Sequence, residues 1–371
     1  MSSQQPWYEI INIDDVDSPA LVIYIDRVKQ NIQQAIEIIG DVNRLRPHVK
    51  THKSPDVTKL MMDAGITKFK CATIAEAEML ASVSAKDILL AYPVTGPKIQ
   101  RWLELLKDYP STIFSCLVDD YDAAYELDKE AKKEGLRFRV WMDINIGMNR
   151  TGIAIDKVIE LFEKLAGLSA VKVIGLHIYD GHITNPDIEQ RIKQCNEAFA
   201  PIEIIKKTLA EKGYNDLQFV AGGSPTFPIH AKKINVECSP GTFVFWDASY
   251  YHAYPEQNFR PAALVITRII SHPTGKLFCT DLGHKSIAAE NPLNRRMEFV
   301  NGSGLECISQ SEEHLVLKSN EIDPFTIGDI LYAMPVHICP TCALYERAFV
   351  VEDHRIVAEW KIVARDRKIK I

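Results

Sequence analysis

Short apolar segments alternate with helix-length amphipathic stretches over the first two thirds of the chain, and nothing else in the sequence restricts the fold as strongly. The strand-like segments are 45–50, 68–73, 88–92, 112–118, 138–143, 173–179, 219–222 and 236–244. Stretches with helical periodicity at 74–82, 98–108, 121–134, 155–166 and 186–212 separate most of them. Parallel strands need crossovers of this length, and a closed parallel barrel needs eight such units within roughly 250 residues. The expected fold is therefore α/β, a (β/α)8 TIM barrel. A doubly wound open sheet is the alternative, but no Gly-x-Gly-x-x-Gly follows the first strand.

From about residue 254 the texture changes, and 262–270, 276–281, 314–317, 330–334, 349–352 and 356–363 read as strands with little helical pattern between them. A barrel domain is expected over 21–253, its eight strands preceded by a strand at 21–25 and a helix at 27–39. A C-terminal all-β domain is expected over 254–371, with residues 1–20 packing on it. The net charge of −6 lacks the basic excess that a nucleic-acid partner requires. No apolar run approaches membrane-spanning length and no export signal opens the chain, so a cytoplasmic location and no membrane partner are expected. The eight cysteines are then expected to be thiols rather than a disulfide framework.

Barrel chemistry takes place at the carboxyl ends of the strands. In the first, Arg46, His48 and Lys50 share one parity, so a strand would send them to one side. Ser54-Pro55 reads as a cap and first helical residue, which leaves Lys50 at the strand's end. A lysine desolvated there can lose its proton near neutrality and attack a carbonyl. A solvated basic turn would look the same. The other strand ends offer Asp143 and Arg150, Tyr179-Asp180-Gly181-His182, and Gly222-Gly223-Ser224-Pro225-Thr226. The glycine loop follows the seventh strand, where barrels hold phosphate, although plain turns use the same residues. A lysine for an aldehyde, a phosphate cradle, and aromatic and basic groups between them are what pyridoxal phosphate requires. His182 is a candidate site residue. His48, His52, His177 and His284 are as readily structural.

Three motifs carry a family resemblance: Arg46-Pro47-His48-Val49-Lys50-Thr51-His52-Lys53, the run from Asp143 through Gly147 and Arg150 to Gly152, and His337-Ile338-Cys339-Pro340-Thr341. The chain resembles, over nearly its whole length, the D-threonine aldolase/D-serine dehydratase family, relatives of the alanine racemase N-terminal barrel. The resemblance implies that Lys50 is the pyridoxal lysine, with Lys53 its rival. It implies that Arg150 and Tyr179 lie against the cofactor ring, and that Gly222, Gly223, Ser224 and Thr226 form the phosphate loop.

If 337–339 is extended, His337 and Cys339 point the same way from Cα atoms ~6.6 Å apart, near enough to share a metal. A buried His and Cys in a β core would leave the same trace, and the resemblance decides for a divalent metal: zinc, or manganese or magnesium. Cys339-Pro340-Thr341-Cys342 is also a Cys-x-x-Cys, but a β-rich setting argues against a thioredoxin-like role.

The resemblance implies a lyase acting on a small-molecule D-β-hydroxy amino acid, with Lys50 catalytic; His182, from its place beside Tyr179 and Asp180, is a second catalytic candidate. Breaking Cα–Cβ would give glycine and an aldehyde; losing the β-hydroxyl would give ammonia and a keto acid. His-x-Cys resembles the dehydratases, whereas Pro340-Thr341 and Leu344-Tyr345-Glu346 resemble the aldolases. The balance falls on D-threonine aldolase, with D-serine dehydratase the alternative. An amino-acid racemase and a non-catalytic pyridoxal phosphate carrier stand further off. Relatives with this two-domain plan imply a homodimer.

Overall fold

The computed structural model describes residues 5–321 and 325–371. Seven strands, Lys68–Cys71, Asp87–Pro93, Ile113–Val118, Phe138–Asn145, Val171–Ile178, Gln218–Ala221 and Val236–Cys238, form one sheet in chain order, each parallel to its neighbour. Residues 45–49 close the ring. The Arg46 N–H donates to the Cys238 carbonyl and the Lys70 N–H to the Pro47 carbonyl, both at 2.8 Å. The first barrel segment is nevertheless only a pair of isolated bridges, at Leu45 and His48, and not the continuous strand expected. Pro47 has no N–H to give and stands in its middle.

Three of the crossover helices begin on a capping side chain. Thr73, Asp120 and Asp187 each accept the third following N–H and open the helices Ile74–Ser82, Tyr121–Lys133 and Ile188–Glu211. Inside the ring, Leu89, Leu117, Trp141 and Val220 form an apolar layer. Trp141 donates its indole N–H to the Ser115 hydroxyl at 3.0 Å. Arg46 is fully buried. It bonds Glu237 and Asp87, each at 2.7 Å, and Glu237 also pairs with Lys68.

The chain divides into two compact units. The barrel unit takes Ala35–Lys50, Val57–Gly241 and Asp366–Ile371. The other takes the chain up to Gln34, Thr51–Asp56 and Thr242–Arg365. This differs from contiguous domains meeting at residue 253. The strand Ala20–Tyr24 does not open the barrel; it pairs antiparallel with Ala263–Thr274 and parallel with Arg347–Glu352. It is buried throughout, so no alternation in its sequence could say which sheet it joins. The core of that unit gathers Ile10, Val16, Val22, Tyr24, Leu264, Ile266, Tyr332, Met334 and Val351. The region after residue 254 is not purely β, because Ile338–Leu344 is helical. Among the described residues no helix is long and apolar enough to cross a membrane. All eight cysteines are free.

Candidate active site

The parity of the first barrel segment brings His48 and Lys50 to a cavity of about 230 Å³ within the barrel unit. Lys70, Tyr92, Arg150, Thr151, His177 and Tyr179 also line it. The Arg150 guanidinium lies 4.9 Å from the centre of the Tyr179 ring. The ring is fixed by its neighbours: a Cβ at Gly181 would stand 2.5 Å from it, and one at Gly223 3.2 Å. Lys50, Arg150, Tyr179 and the glycine loop are thus brought together. Lys53 lies in the other unit, in a left-handed turn at φ 49°, and donates to the Ala364 carbonyl at 3.5 Å.

His182 is not brought to this cavity. It is exposed and lies against the 145–150 loop, where a Cβ on Gly147 would come within 2.9 Å of its Nε2. The loop expected to hold phosphate turns through Gly222 at φ 78°, a conformation that favours glycine. Ser224 and Thr226 are buried. The Thr226 hydroxyl donates to Asp180 at 2.8 Å, and Asp180 also meets His230 at 2.7 Å. Burial opposes the charge on Asp180, but His230 and Thr226 outweigh it and hold the carboxyl below its usual range. Cys195 stands 3.3 Å from His230. Asp180, Cys195 and His230 are metal-ligand types within 4.8 Å of one another, here joined as a hydrogen-bond network that stiffens the loop from behind.

Sequence reasoning left out a second buried chain of groups. His177 donates from Nδ1 to Asp143 at 2.6 Å, and Thr151 donates to the same carboxylate at 2.7 Å. The Lys70 ammonium donates to Nε2 of His177 at 3.4 Å. Burial lowers His177, so its ring is neutral and accepts from Lys70. Burial, reinforced by the nearby Lys50 charge, lowers Lys70 to about 7. The signal was available: Lys68 and Lys70 share one parity of their strand, and His177 shares that of Tyr179.

In the other unit, His337 and Cys339 share a side-chain hydrogen bond. They do so from a helix start and not from an extended strand. His337 stands at the N-cap position of Ile338–Leu344, without a capping side-chain bond, and Cys339 is the second residue of the helix. Glu290 meets His337 Nδ1 at 2.5 Å, which leaves Nε2 for another partner. Burial opposes a proton on His337, but Cys339, Glu290 and Asp247 outweigh it and raise the imidazole to about 9. The Thr51 hydroxyl lies 3.1 Å and that of Thr242 3.7 Å from the Cys339 sulfur. Asp247 accepts from the Ile338 N–H at 3.2 Å and so holds the start of the helix. Imidazole and thiol side by side, with a carboxylate on the far ring nitrogen, are a donor set that fits zinc. The Cys-x-x-Cys does stand at a helix start, contrary to expectation, but Cys342 is fully buried and burial raises its thiol well above the usual value.

The site also fits pyridoxal phosphate. The cavity offers an amine, a flat aromatic wall held between two glycines, and a glycine loop beside that wall.

Residues 23–248 match the alanine racemase N-terminal domain, and residues 262–351 the putative serine dehydratase domain. The 3-hydroxy-D-aspartate aldolase of Paracoccus denitrificans (strain Pd 1222) is 27% identical over 373 residues, covering 95% of this chain and 93% of that one. The D-threonine aldolase of Arthrobacter sp. is 25% identical over 362 residues, with 94% and 93% covered. The crystal structure of D-threonine aldolase from Filomicrobium marinum matches with a TM-score of 0.87 at 24% identity, over 97% of this chain and 99% of that one. The chain belongs to the alanine racemase N-terminal domain family, in the group of D-threonine aldolases and D-serine dehydratases.

Proposed function

We propose that this protein is a pyridoxal phosphate- and divalent metal-dependent lyase acting on D-β-hydroxy amino acids, with D-threonine aldolase activity, giving glycine and an aldehyde. The observation that carries the reading is the placement of Lys50 in a cavity walled by Tyr179 and Arg150. Pyridoxal phosphate, when bound, supplies an electron sink for the pair left on Cα when a bond to it breaks. Lys50 anchors it, Tyr179 supports the ring, and Gly222, Gly223, Ser224 and Thr226 hold the phosphate. His337 and Cys339 hold the metal, which supplies a Lewis acid for the β-hydroxyl. Thiolate and imidazole favour zinc over manganese or magnesium. Glu290 keeps His337 in the tautomer that presents Nε2. The protein is proposed to work as a cytoplasmic homodimer.

Among relatives similar over nearly the whole chain, the aldolases are 25–27% identical and the D-serine dehydratases 21–22%, which supports the aldolase reaction. D-serine dehydratase is the second reading, favoured by the thiol of Cys339 in the metal pair. Identifying the products from D-threonine, D-serine and D-3-hydroxyaspartate with added zinc, manganese or magnesium tests both. Glycine from D-threonine is expected. Ammonia and a keto acid in its place would select the dehydratase, and bound cofactor with no product from any substrate would leave a carrier.

A further inference from the structure

Lys70 has no part in the reading above, yet it is 2% exposed and lines the same cavity as Lys50. A buried ammonium needs a counter-charge or a strong acceptor. Its strand neighbour of the same parity, Lys68, has Glu237. Lys70 instead donates to an uncharged imidazole, at 3.4 Å, and its Nζ lies 5.4 Å from the centre of the Tyr179 ring. His177 is anchored by Asp143, so the acceptor is held from behind. Among the described residues three cations, Lys50, Lys70 and Arg150, line the cavity and no carboxylate does; the nearby Asp143 is taken up by His177 and Thr151. Such a lining calls for an anionic ligand. The phosphate of the cofactor is assigned to the glycine loop, which leaves the oxygen on the pyridine ring as the anion inside.

We propose that Lys70 is a further cofactor-binding residue, its ammonium held by the Asp143–His177 chain and paired with the phenolate oxygen of the pyridoxal ring. The inference rests on the cofactor assignment made above. Full-length protein stripped of cofactor is titrated with pyridoxal phosphate, following the absorbance band of the lysine-bound form, for the wild type, Lys70→Met, Lys70→Gln and Lys70→Arg. A hydrogen bond to a charged group is worth enough for a loss of affinity on the order of tenfold. Lys70→Met or, should it not fold, Lys70→Gln is expected to show that loss. Its band should also move to shorter wavelength, because a ring oxygen without its cation takes a proton more readily. Lys70→Arg should restore the band position and most of the affinity. Neutral variants with wild-type affinity and an unmoved band would overturn the inference alone. A wild type with no bound-cofactor band would overturn the cofactor assignment and the inference together.

Discussion

Lys50 and Lys53 are three positions apart and differ in everything that decides reactivity. Lys50 faces a cavity with an aromatic wall, whereas Lys53 sits in a left-handed turn with its amine on a backbone carbonyl. Lys50→Ala should therefore abolish the visible absorbance of bound cofactor and Lys53→Ala should retain it. The reverse pattern, read from a spectrum of each purified variant, would exchange the assignments. Parity in the sequence was enough to separate these two residues. It was not enough for His182, whose position two residues beyond Asp180 looked like that of a site group. The 179–182 segment leaves the strand before it, so parity no longer says where it points. Glu290 was invisible for a different reason, because its partner His337 is distant in sequence and no spacing rule joins them.

At the scale of elements, the barrel closes through a segment that is barely a strand, and Arg46 does much of the joining. Its guanidinium ties that segment to Glu237 on the eighth strand and Asp87 on the third, entirely out of water. Removing one partner of a buried pair strands the other charge, at a cost of about 3–5 kcal/mol. Glu237 keeps Lys68, so Arg46→Ala should lose about 3 kcal/mol, read as a lower urea midpoint; an unchanged midpoint would mean that the network contributes nothing. The crossover helices were legible from their periodicity, and three of them also from a capping residue, Thr73, Asp120 or Asp187. The helix Ile338–Leu344 was not. Pro340 reads as the end of a strand, but here it is the third helical residue, within the first turn, where a helix has no use for an N–H.

At the scale of the molecule, buried histidines set how the fold tolerates acid. Burial lowers His52 to about 3, and His177 is lowered in the same way. The native state keeps both rings neutral, whereas the unfolded chain takes up protons as pH falls through about 6.5. Stability is therefore retained above that value and lost between it and about 3, with His52 alone costing about 2 kcal/mol by pH 5. His52→Asn keeps an acceptor for the Ser54 N–H but cannot take the proton. The variant should lose less stability than the wild type between pH 7 and pH 5 in urea unfolding; equal losses would show that His52 is not responsible. Eight strands and a change of texture after residue 254 could be read from local patterns, but the assembly of the second unit could not, because it joins segments from both ends of the chain. The strand Ala20–Tyr24 lies between two strands that come from far down the chain. It is synthesised well before either of the strands it pairs with. Until those strands follow, an apolar ribbon must be kept from other chains while it waits.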